Sequence, residues 1–449
     1  MKEDEHSPAT TDSSYATEKE QWYAHSEGID GQKQLLRDHI RRVAQLSARF
    51  ATAFGASDAA AASAFAHDAG KYSRLFQSRL LGEPLPDGVR ALDHGSPGAA
   101  LLLQEFGLAA LAPMWAAHGH HIGLQCVSTL RNLQKKQYPA DILWSETDTD
   151  ILKRRALRDG CEFPDPPRPL MPLGTNLGAA GLLPLRMLFS CLVDADYLDT
   201  EEHFRGKRPE GVSLRPAQAE EILDRHIAAL EKQTKANSAV VDIRSELRRV
   251  CLKAADSNPG TFTLTAPTGA GKTLAMLAFA LRHAAKHSLE RIIFVLPYLS
   301  IIDQTATILR ELFEPVFGPD YILEHHSGTP GGADDAGTAQ DPAVYDDKRE
   351  TRRKQLAENW DAPIIVTTSV QCLESLFANR PGSCRKLHNM CRAVLLFDEV
   401  QTLPAPLSIP TLGALTGLTQ TCSSTVLFST ATQPAFQHIN PLLTTHHEP

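Results

Sequence analysis

Apolar residues recur at helical spacing through the N-terminal half of the chain. The segments LLRDHIRRVAQLSARFATAF (35–54) and LLPLRMLFSCLVDADYL (182–198) place them three and four positions apart, which is typical of helices with one buried face. A third segment, QAEEILDRHIAALEKQ (218–233), predicts an amphipathic helix. Weak periodicity with many Pro, Asp and Arg residues between about 131 and 176 predicts irregular connections. This half is therefore predicted to be an all-α domain.

Short apolar runs replace the helical pattern in the second half. They are TFTLTAP, RIIFVLP, PIIVTT, AVLLFDE and TVLFSTAT. Because runs of this length alternate with helical or polar segments, they predict a mostly parallel sheet with helices on both faces. We place the boundary near residue 237, between a helical domain at 21–237 and an α/β domain at 238–449.

Composition indicates a globular, multidomain protein. The chain has 449 residues and a formal net charge of -8, which does not by itself indicate a nucleic-acid binder. The polar residues 1–20 predict a disordered tail, and the Gly- and Asp-rich segment 328–350 predicts an exposed, mobile insertion.

The sequence shows no obvious membrane-spanning or targeting segment. It shows neither a long apolar run suited to a bilayer nor a signal peptide, so we expect a cytoplasmic protein without a membrane partner. The eight Cys residues form no CxxC pair, which favours free thiols in a reducing compartment over disulfides or structural zinc.

A phosphate-binding loop follows the first predicted strand of the α/β domain. The segment APTGAGKT (266–273) lies between TFTLT and the helical LAMLAFALRHA, although Ala266 stands where the strict pattern has Gly. Backbone N–H groups of such a loop approach phosphates, while Lys272 can reach the β and γ phosphates and Thr273 can help hold Mg²⁺. The residues predicted to bind ATP and Mg²⁺ here are Thr268, Gly269, Ala270, Gly271, Lys272 and Thr273. The alternative is a Gly-rich turn of purely structural role.

Two carboxylates end the strand AVLLF. Acidic residues after a strand can simply cap a helix, but the phosphate-binding loop upstream favours a role in ATP hydrolysis. We therefore expect Asp398 to position Mg²⁺ and Glu399 to activate the attacking water.

The helical half holds a second set of candidate ligands. His67 and Asp68 adjoin in AFAHDAGKYSRLFQ, and they can converge on one metal only at the edge of a helix. His39 lies on an apolar helix face, where a hydrogen-bonded core histidine is the simpler interpretation. The remaining candidates are His94, His118, His120, His121, Asp194, Asp196 and Asp199. Imidazole and carboxylate groups suit divalent transition metals, and no Cys belongs to the set.

Both halves resemble known families. The loop, the Asp398–Gln401 segment and Ser429–Ala431 resemble the first RecA-like lobe of superfamily 2 helicases, with Gln401 where His or Asp is commoner. The histidine order resembles the HD phosphohydrolase superfamily. Their combination resembles the signature HD nuclease–helicase of type I CRISPR interference over residues 22–449, carried by AHS, HDAGKYSRLFQ, DHGSPGAA, GHHIGL and DADYLDTE.

The resemblance implies a fold and a reaction. It implies an all-α HD domain followed by an α/β RecA-like lobe, and metal-dependent cleavage of single-stranded DNA after recruitment to a guide-RNA surveillance complex, often called Cascade. It also implies that Ser429 and Thr430 couple ATP hydrolysis to strand movement. We expect the chain to lack the second RecA-like lobe, so that it has no independent helicase activity and a separate chain could carry that lobe.

The resemblance also implies a ligand set for two metal ions of unknown identity. The first ion would take His39, His67, Asp68 and a closing Asp, and Asp68 would bridge to a second held by His94, His120 and His121. We choose Asp196 as the closing ligand, with Asp194 as the alternative. Lys71 would stabilise phosphate charge without binding metal. His25 and His118 are interpreted as structural or supporting residues.

Two other functions compete with this hypothesis. A non-catalytic chain could occupy the surveillance complex and regulate interference. An HD phosphohydrolase could act on small nucleotides, but the fused helicase lobe and the paired histidines disfavour it. Metal-dependent cleavage of single-stranded DNA separates the first hypothesis from the regulator.

Overall fold

The computed structural model describes residues 20–126, 141–170, 178–233, 238–327 and 348–431. The predicted tail lies almost entirely outside these ranges, and so does most of the predicted insertion at 328–350.

The N-terminal half is mainly helical, with two small strand pairings that the sequence did not predict. Antiparallel strands β1 (Tyr23–Glu27) and β2 (Lys33–Leu35) precede the first helix, and β3 (Ala91–Asp93) pairs in parallel with β4 (Ile142–Trp144). The helices are α1 (Leu36–Ala51), α2 (Ser57–His67), α3 (Arg74–Leu80), α4 (Gly95–Phe106), α5 (Leu111–Gly119), α6 (Thr149–Asp159) and α7 (Ala179–Arg205).

The core of this half forms where α1, α2, α5 and α7 pack together. Val43 of α1 and Leu188 and Leu192 of α7 are fully buried in one hydrophobic cluster with three of the alanines of α2. Ala side chains are short, so α2 can lie close to its neighbours on several sides. The α2 helix is thus held at the centre of the domain, with its C-terminal residue His67 buried.

Two glycines bring α4 against the end of α2. A side chain at Gly98 would overlap the carbonyl oxygen of Ala66, and one at Gly70 would overlap the carbonyl oxygen of His94. Only glycine tolerates backbone approach this close. His94, the residue that precedes α4, is therefore held beside the His67–Asp68 pair.

The prediction of irregular structure between 131 and 176 was wrong at α6. Asp148 caps this helix through its side chain, which accepts hydrogen bonds from the backbone N–H groups of Asp150 and Ile151. Gly160 ends it in the left-handed region, with φ of 92°. Strong local signals at both ends therefore produced a helix despite weak apolar periodicity.

The C-terminal half is built on a parallel six-stranded sheet, which confirms the predicted α/β lobe. The strands are β5 (Thr261–Thr265), β6 (Arg291–Leu296), β7 (Ile322–His325), β8 (Ile364–Thr368), β9 (Ala393–Phe397) and β10 (Thr425–Thr430), and their order across the sheet is β5-β10-β9-β6-β8-β7. Every strand pair is parallel. The five predicted runs are all strands of this sheet, whereas the short edge strand β7 was not predicted.

Helices cover both faces of the sheet. They are α8 (Pro216–Gln233), α9 (Ser238–Ala254), α10 (Lys272–His287), α11 (Leu299–Phe317), α12 (Lys348–Asn359), α13 (Ser369–Phe377), α14 (Pro381–Cys384) and α15 (Ala405–Thr421). Alternate residues of β6 point to opposite faces, with Ile292 in one hydrophobic cluster and Ile293 in the other. This explains the near-continuous apolar character of the strands.

Two helices on the N-terminal side of the boundary predicted near residue 237 pack against the sheet. Ala219 and Leu223 of α8 are fully buried against α10 in the cluster on one face of the sheet. Leu183 and Met187 of α7 join the cluster on the opposite face. The α8 helix therefore belongs to the helical layer of the sheet, and α7 packs against both halves.

One described stretch, Gly95–Gly119, has the length and composition of a membrane-crossing helix. Buried core helices of soluble proteins can have the same length and composition. Here the stretch consists of α4, a 3-10 turn at Gly107–Ala110 and α5, and it packs within the helical half.

Candidate metal centre and nucleotide site

His67 and Asp68 converge because the helix ends between them. The α2 helix terminates at His67, Asp68 adopts φ of -114° and ψ of 5°, and a 3-10 turn at Ala69–Tyr72 follows. The change of backbone direction turns both side chains toward one buried region, where Asp68 is 1% exposed. An uninterrupted helix would have pointed them about 100° apart.

One group of possible ligands consists of His39, His67 and Asp196. One ligand atom from each lies within 4.8 Å of the others. The Nε2 atoms of His39 and His67 are 3.2 Å apart, and Oδ1 of Asp196 is 3.5 Å from Nε2 of His39 and 3.8 Å from Nε2 of His67. All three residues are buried.

A second group contains Asp68, His94, His120 and His121, again within 4.8 Å of one another. Oδ1 of Asp68 is 3.4 Å from Nε2 of His94 and 3.9 Å from Nε2 of His120. Oδ2 of the same carboxylate is 3.1 Å from Nε2 of His39, in the first group. Asp68 thus turns one oxygen toward each group, as a bridging carboxylate would.

Contacts behind the rings fix which nitrogen faces inward. Nδ1 of His67 lies 2.6 Å from the carbonyl oxygen of Ala64, and Nδ1 of His120 lies 2.6 Å from that of Ala117. A carbonyl can only accept, so Nδ1 carries the proton and the Nε2 lone pair faces the centre. Nε2 of His120 is buried and has no hydrogen-bond partner among the described residues.

Asp199, which the sequence analysis named only as a candidate ligand, plays the same part for His39. Its Oδ2 lies 2.7 Å from Nδ1 of His39. Residues three positions apart share a helix face, so the spacing from Asp196 was the signal that could have revealed it. Carboxylates in this position orient and strengthen ligand histidines.

The charges of the two groups depend on burial and on neighbouring groups. Burial acts to raise the pKa of Asp68, but Lys71 and His67 outweigh it and hold that pKa well below its usual range. Burial acts to lower the pKa of His39, but contacts with Asp196 and Asp199 hold it well above the usual value.

The other shifted histidines go the opposite way. Burial lowers the pKa of His67, and it lowers that of His120 further together with the nearby His121. Burial and His94 lower the pKa of His121 to about 4. Neutral imidazoles are the form that binds metals.

The donor set fits a pair of divalent transition-metal ions. It offers imidazole nitrogens and carboxylate oxygens, and neither described group contains a thiol. One of its features is unfavourable without a cation: the buried Nε2 of His120, which has no hydrogen-bond partner among the described residues.

The neighbouring candidates lie outside the two groups. Nζ of Lys71 is 2.8 Å from Oδ2 of Asp68 and donates to the carbonyl of Ala24 at 3.2 Å. His25 contacts Thr200 at 3.3 Å and lines a cavity together with Asp68 and Lys71. The Nδ1 atom of His118 is 3.1 Å from Oγ of Ser96.

Asp194 lies on a different side of α7 from Asp196. Its Oδ1 accepts a hydrogen bond from Arg385 at 2.8 Å, and its Oδ2 accepts one from Asn359 at 3.1 Å. Asp194 therefore contacts the α/β half, and only Asp196 of the two alternatives lies beside His39.

The predicted nucleotide loop connects β5 to α10. Gly269 and Gly271 adopt φ of 82° and 79°, and the helix begins at Lys272 with Thr273 as its second residue. Thr268 and Gly269 are exposed, while Ala270 and Lys272 are buried. N–H groups at a helix N-terminus form a ready anion site.

The two carboxylates follow β9, and Glu399 contacts the loop. Oε1 of Glu399 is 3.1 Å from Nζ of Lys272. The amide of Gln401 donates to Oε2 of Glu399 at 2.6 Å, and its oxygen accepts from Thr430 Oγ1 at 2.6 Å. Asp398 accepts from the backbone N–H of Glu399 at 3.0 Å.

Gln401 therefore links the acidic segment to the Ser429–Thr430 segment at the end of β10. The Ser429 hydroxyl is buried, and no described residue gives it a hydrogen-bond partner. Hydrogen bonds join Lys272 to Glu399, Glu399 to Gln401 and Gln401 to Thr430. The structure adds Gln401 as the connection between Glu399 and Thr430.

Comparisons with known proteins support the helicase half directly. Residues 245–439 match the DEAD/DEAH box helicase family. Over 238 residues the chain is 30% identical to CRISPR-associated nuclease/helicase Cas3 of Haloferax volcanii. This match covers 48% of this chain and 24% of that protein.

Solved structures show a similar fold across both halves. Cas3 of T. fusca with AMPPNP matches with a TM-score of 0.60 at 19% identity, over 92% of this chain and 50% of that one. A structure described as a CRISPR RNA-guided surveillance complex, pre-nicking, matches with a TM-score of 0.51 at 18% identity, over 92% of this chain and 47% of that one. The chain spans about half the length of these structures. Residues 245–439 of this chain match a DEAD/DEAH box helicase domain.

Proposed function

We propose that this chain is a metal-dependent DNA nuclease fused to an ATP-binding helicase lobe, which acts on single-stranded DNA in CRISPR interference. The observation that carries the proposal is the convergence of His39, His67 and Asp196 with a second ligand group on opposite oxygens of Asp68. The guide-RNA surveillance complex is its proposed partner, on the strength of the similarity to Cas3 proteins.

Seven side chains would hold the metal ions. One group would supply His39, His67 and Asp196, the other would supply His94, His120 and His121, and Asp68 would belong to both. Such ions, when bound, would activate a water and stabilise the leaving oxygen of a phosphodiester.

Other residues of the helical half would support that chemistry. Asp199 holds His39 with Nε2 facing inward, through the 2.7 Å contact at Nδ1. Lys71 keeps a positive charge beside Asp68, at the border of a cavity of about 570 Å³ that also reaches Asp196 and His121. A phosphate entering this cavity would meet that charge, which favours an anionic substrate.

The helicase lobe would bind ATP with Mg²⁺ at the loop before α10. Lys272 would leave Glu399 to contact the phosphates, and Asp398 would position Mg²⁺ with Thr273. Glu399 would then be free to orient the attacking water. Ser429 and Thr430 would couple ATP hydrolysis to strand movement, and Gln401 would link Thr430 to Glu399.

Cleavage of single-stranded DNA should require a transition-metal ion but not ATP. The reason is that the proposed ligands all lie in residues 39–196, separate from the nucleotide loop. The test incubates the purified chain with labelled single-stranded DNA and Mn²⁺, Co²⁺, Ni²⁺ or Mg²⁺, with and without ATP. Binding of the surveillance complex without cleavage under any metal would instead favour the non-catalytic regulator.

Metal binding should release a proton near neutral pH. The raised pKa of His39 means that its proton persists as the pH rises through the ordinary histidine value of about 6.5. A ligand histidine must be neutral, so the ion displaces this proton. Apparent affinity should therefore increase with pH by up to about tenfold per unit for one linked proton, and level off above the raised pKa.

Calorimetry in buffers with different ionisation enthalpies measures this proton count. His67 and His120 have lowered pKa values and contribute no proton at pH 7. Metal affinity that stays constant between pH 6.5 and 8, with no buffer-dependent heat, would contradict the assignment of His39.

A further inference from the structure

Arg385 of the helicase half reaches across to the helix that carries Asp196. Its side chain is 4% exposed. Nε donates to Oδ1 of Asp194 at 2.8 Å and Nη1 donates to Oε2 of Glu358 at 2.9 Å, while the guanidinium lies 4.9 Å from the ring centroid of Tyr197. A planar guanidinium that makes two directed hydrogen bonds and a ring contact is held in one orientation.

Both carboxylate oxygens of Asp194 accept hydrogen bonds from the helicase half. Its second oxygen accepts from Asn359, and the carboxylate is fully buried. One turn earlier on α7, the Ser190 hydroxyl donates to the carbonyl of Cys384 at 2.6 Å and accepts from the backbone N–H of His388 at 2.9 Å. The segment around Arg385 is therefore hydrogen-bonded to α7 at two successive turns.

The face of α7 that contacts the helicase half differs from the face that carries Asp196. Positions 190, 194 and 197 follow the i, i+4, i+7 pattern and share one face. Asp196 is about 200° around the helix from Asp194, and it faces His39 and His67 together with Asp199. A rotation or slide of α7 would move Asp196 relative to the histidines, which are held by α1 and α2.

We propose that Arg385 is a positioning residue for the metal centre, an inference that rests on the proposed function. By holding Asp194 and stacking on Tyr197, Arg385 fixes the rotation of α7 that presents Asp196 to His39 and His67. The cavity at the centre supports this, because Arg385 and Glu358 border it together with Asp196. The helicase half thereby completes a site whose ligands all belong to the helical half.

A simpler role for Arg385 would be to neutralise the buried charge of Asp194. The two roles make different predictions when both charges are removed together. If neutralisation is the whole role, Asp194→Asn combined with Arg385→Met restores both stability and metal affinity. If Arg385 positions α7, the double variant regains stability but keeps a weakened metal site.

The experiment titrates the full chain with Mn²⁺ by calorimetry and with Co²⁺ by visible absorption, without DNA. Arg385→Met should weaken binding at the His39, His67 and Asp196 group by about 10–100-fold, the range typical of outer-shell partners. The second group should keep its affinity, and the Co²⁺ bands of the first group should change because they report ligand geometry. Arg385→Lys should give an intermediate loss, since Lys keeps the charge but not the fork.

Arg310→Met is the matched control, because Arg310 pairs with Glu324 at 2.6 Å within the helicase half and has no described contact with α7. It should leave both ions bound as in the parent. Parent-like affinity and Co²⁺ bands in Arg385→Met, or in the folded double variant, would overturn the positioning role. A parent chain that binds no ion would overturn the metal centre itself, and this role with it.

Discussion

Asp68→Ala should lose metal-dependent DNA cleavage by more than about 100-fold. Outer-shell substitutions alone cost roughly 10–100-fold, and Asp68 is the one described carboxylate that faces both ligand groups. Its loss would leave His39 and His67 facing one another without the negative charge between the groups. Cleavage of labelled single-stranded DNA and two-site Mn²⁺ titration measure the effect together.

Asp58→Ala provides the control for Asp68→Ala. Asp58 lies in the first turn of α2, the helix that Asp68 follows, and pairs with Arg168 at 3.1 Å, away from both ligand groups. Cleavage and metal stoichiometry should be those of the parent chain. A folded Asp68→Ala protein that still binds two ions and cuts DNA at the parent rate would refute the bridging role.

Lys272→Ala and Glu399→Gln should separate nucleotide binding from turnover. Lys272 would donate charge-assisted hydrogen bonds, worth about 1.5–3 kcal/mol, so its loss should weaken ATP affinity by about 10–100-fold. Loss of a general base typically costs about 10²–10⁴-fold in rate, so Glu399→Gln should reduce DNA-stimulated ATP turnover by that factor.

ATP affinity should survive in Glu399→Gln. Glu399 pairs with Lys272 at 3.1 Å, and the amide competes less strongly with phosphate for that lysine. Glu311→Gln, at an exposed position of α11, is the control and should change neither property. Equal losses of affinity in Lys272→Ala and Glu399→Gln would contradict the division of roles.

The sequence was most informative where chemistry and local structure coincide. The apolar strands, the loop around Lys272 and the carboxylates after β9 each carry their own local pattern, and the sheet confirms the predicted lobe. The choice of Asp196 over Asp194 rested on helical phase and on a resemblance. In the structure Asp196 lies beside His39, but its role as a ligand stays a prediction.

Features set by distant contacts could not be predicted in the same way. The pattern of α8 showed an apolar face but not its partner, which proved to be the sheet layer rather than the helical domain. Edge strand β7 has four residues, too few for a clear period. Arg385 and Asp194 are 191 positions apart, and no local pattern links them.

The distance between His94 and Asp68 is set by main-chain contacts. Gly98 lies against the carbonyl of Ala66, and Gly70 lies against that of His94, so backbone touches backbone where α4 meets the end of α2. Side chains around the centre can adjust by rotating, but this contact has no rotatable part. One methyl group added at Gly98 would push α4 away from the end of α2 and move His94 away from Asp68, a member of its own ligand group. The result would be a weakened second group beside an intact group of His39, His67 and Asp196, so that the chain would hold one ion tightly in place of a pair.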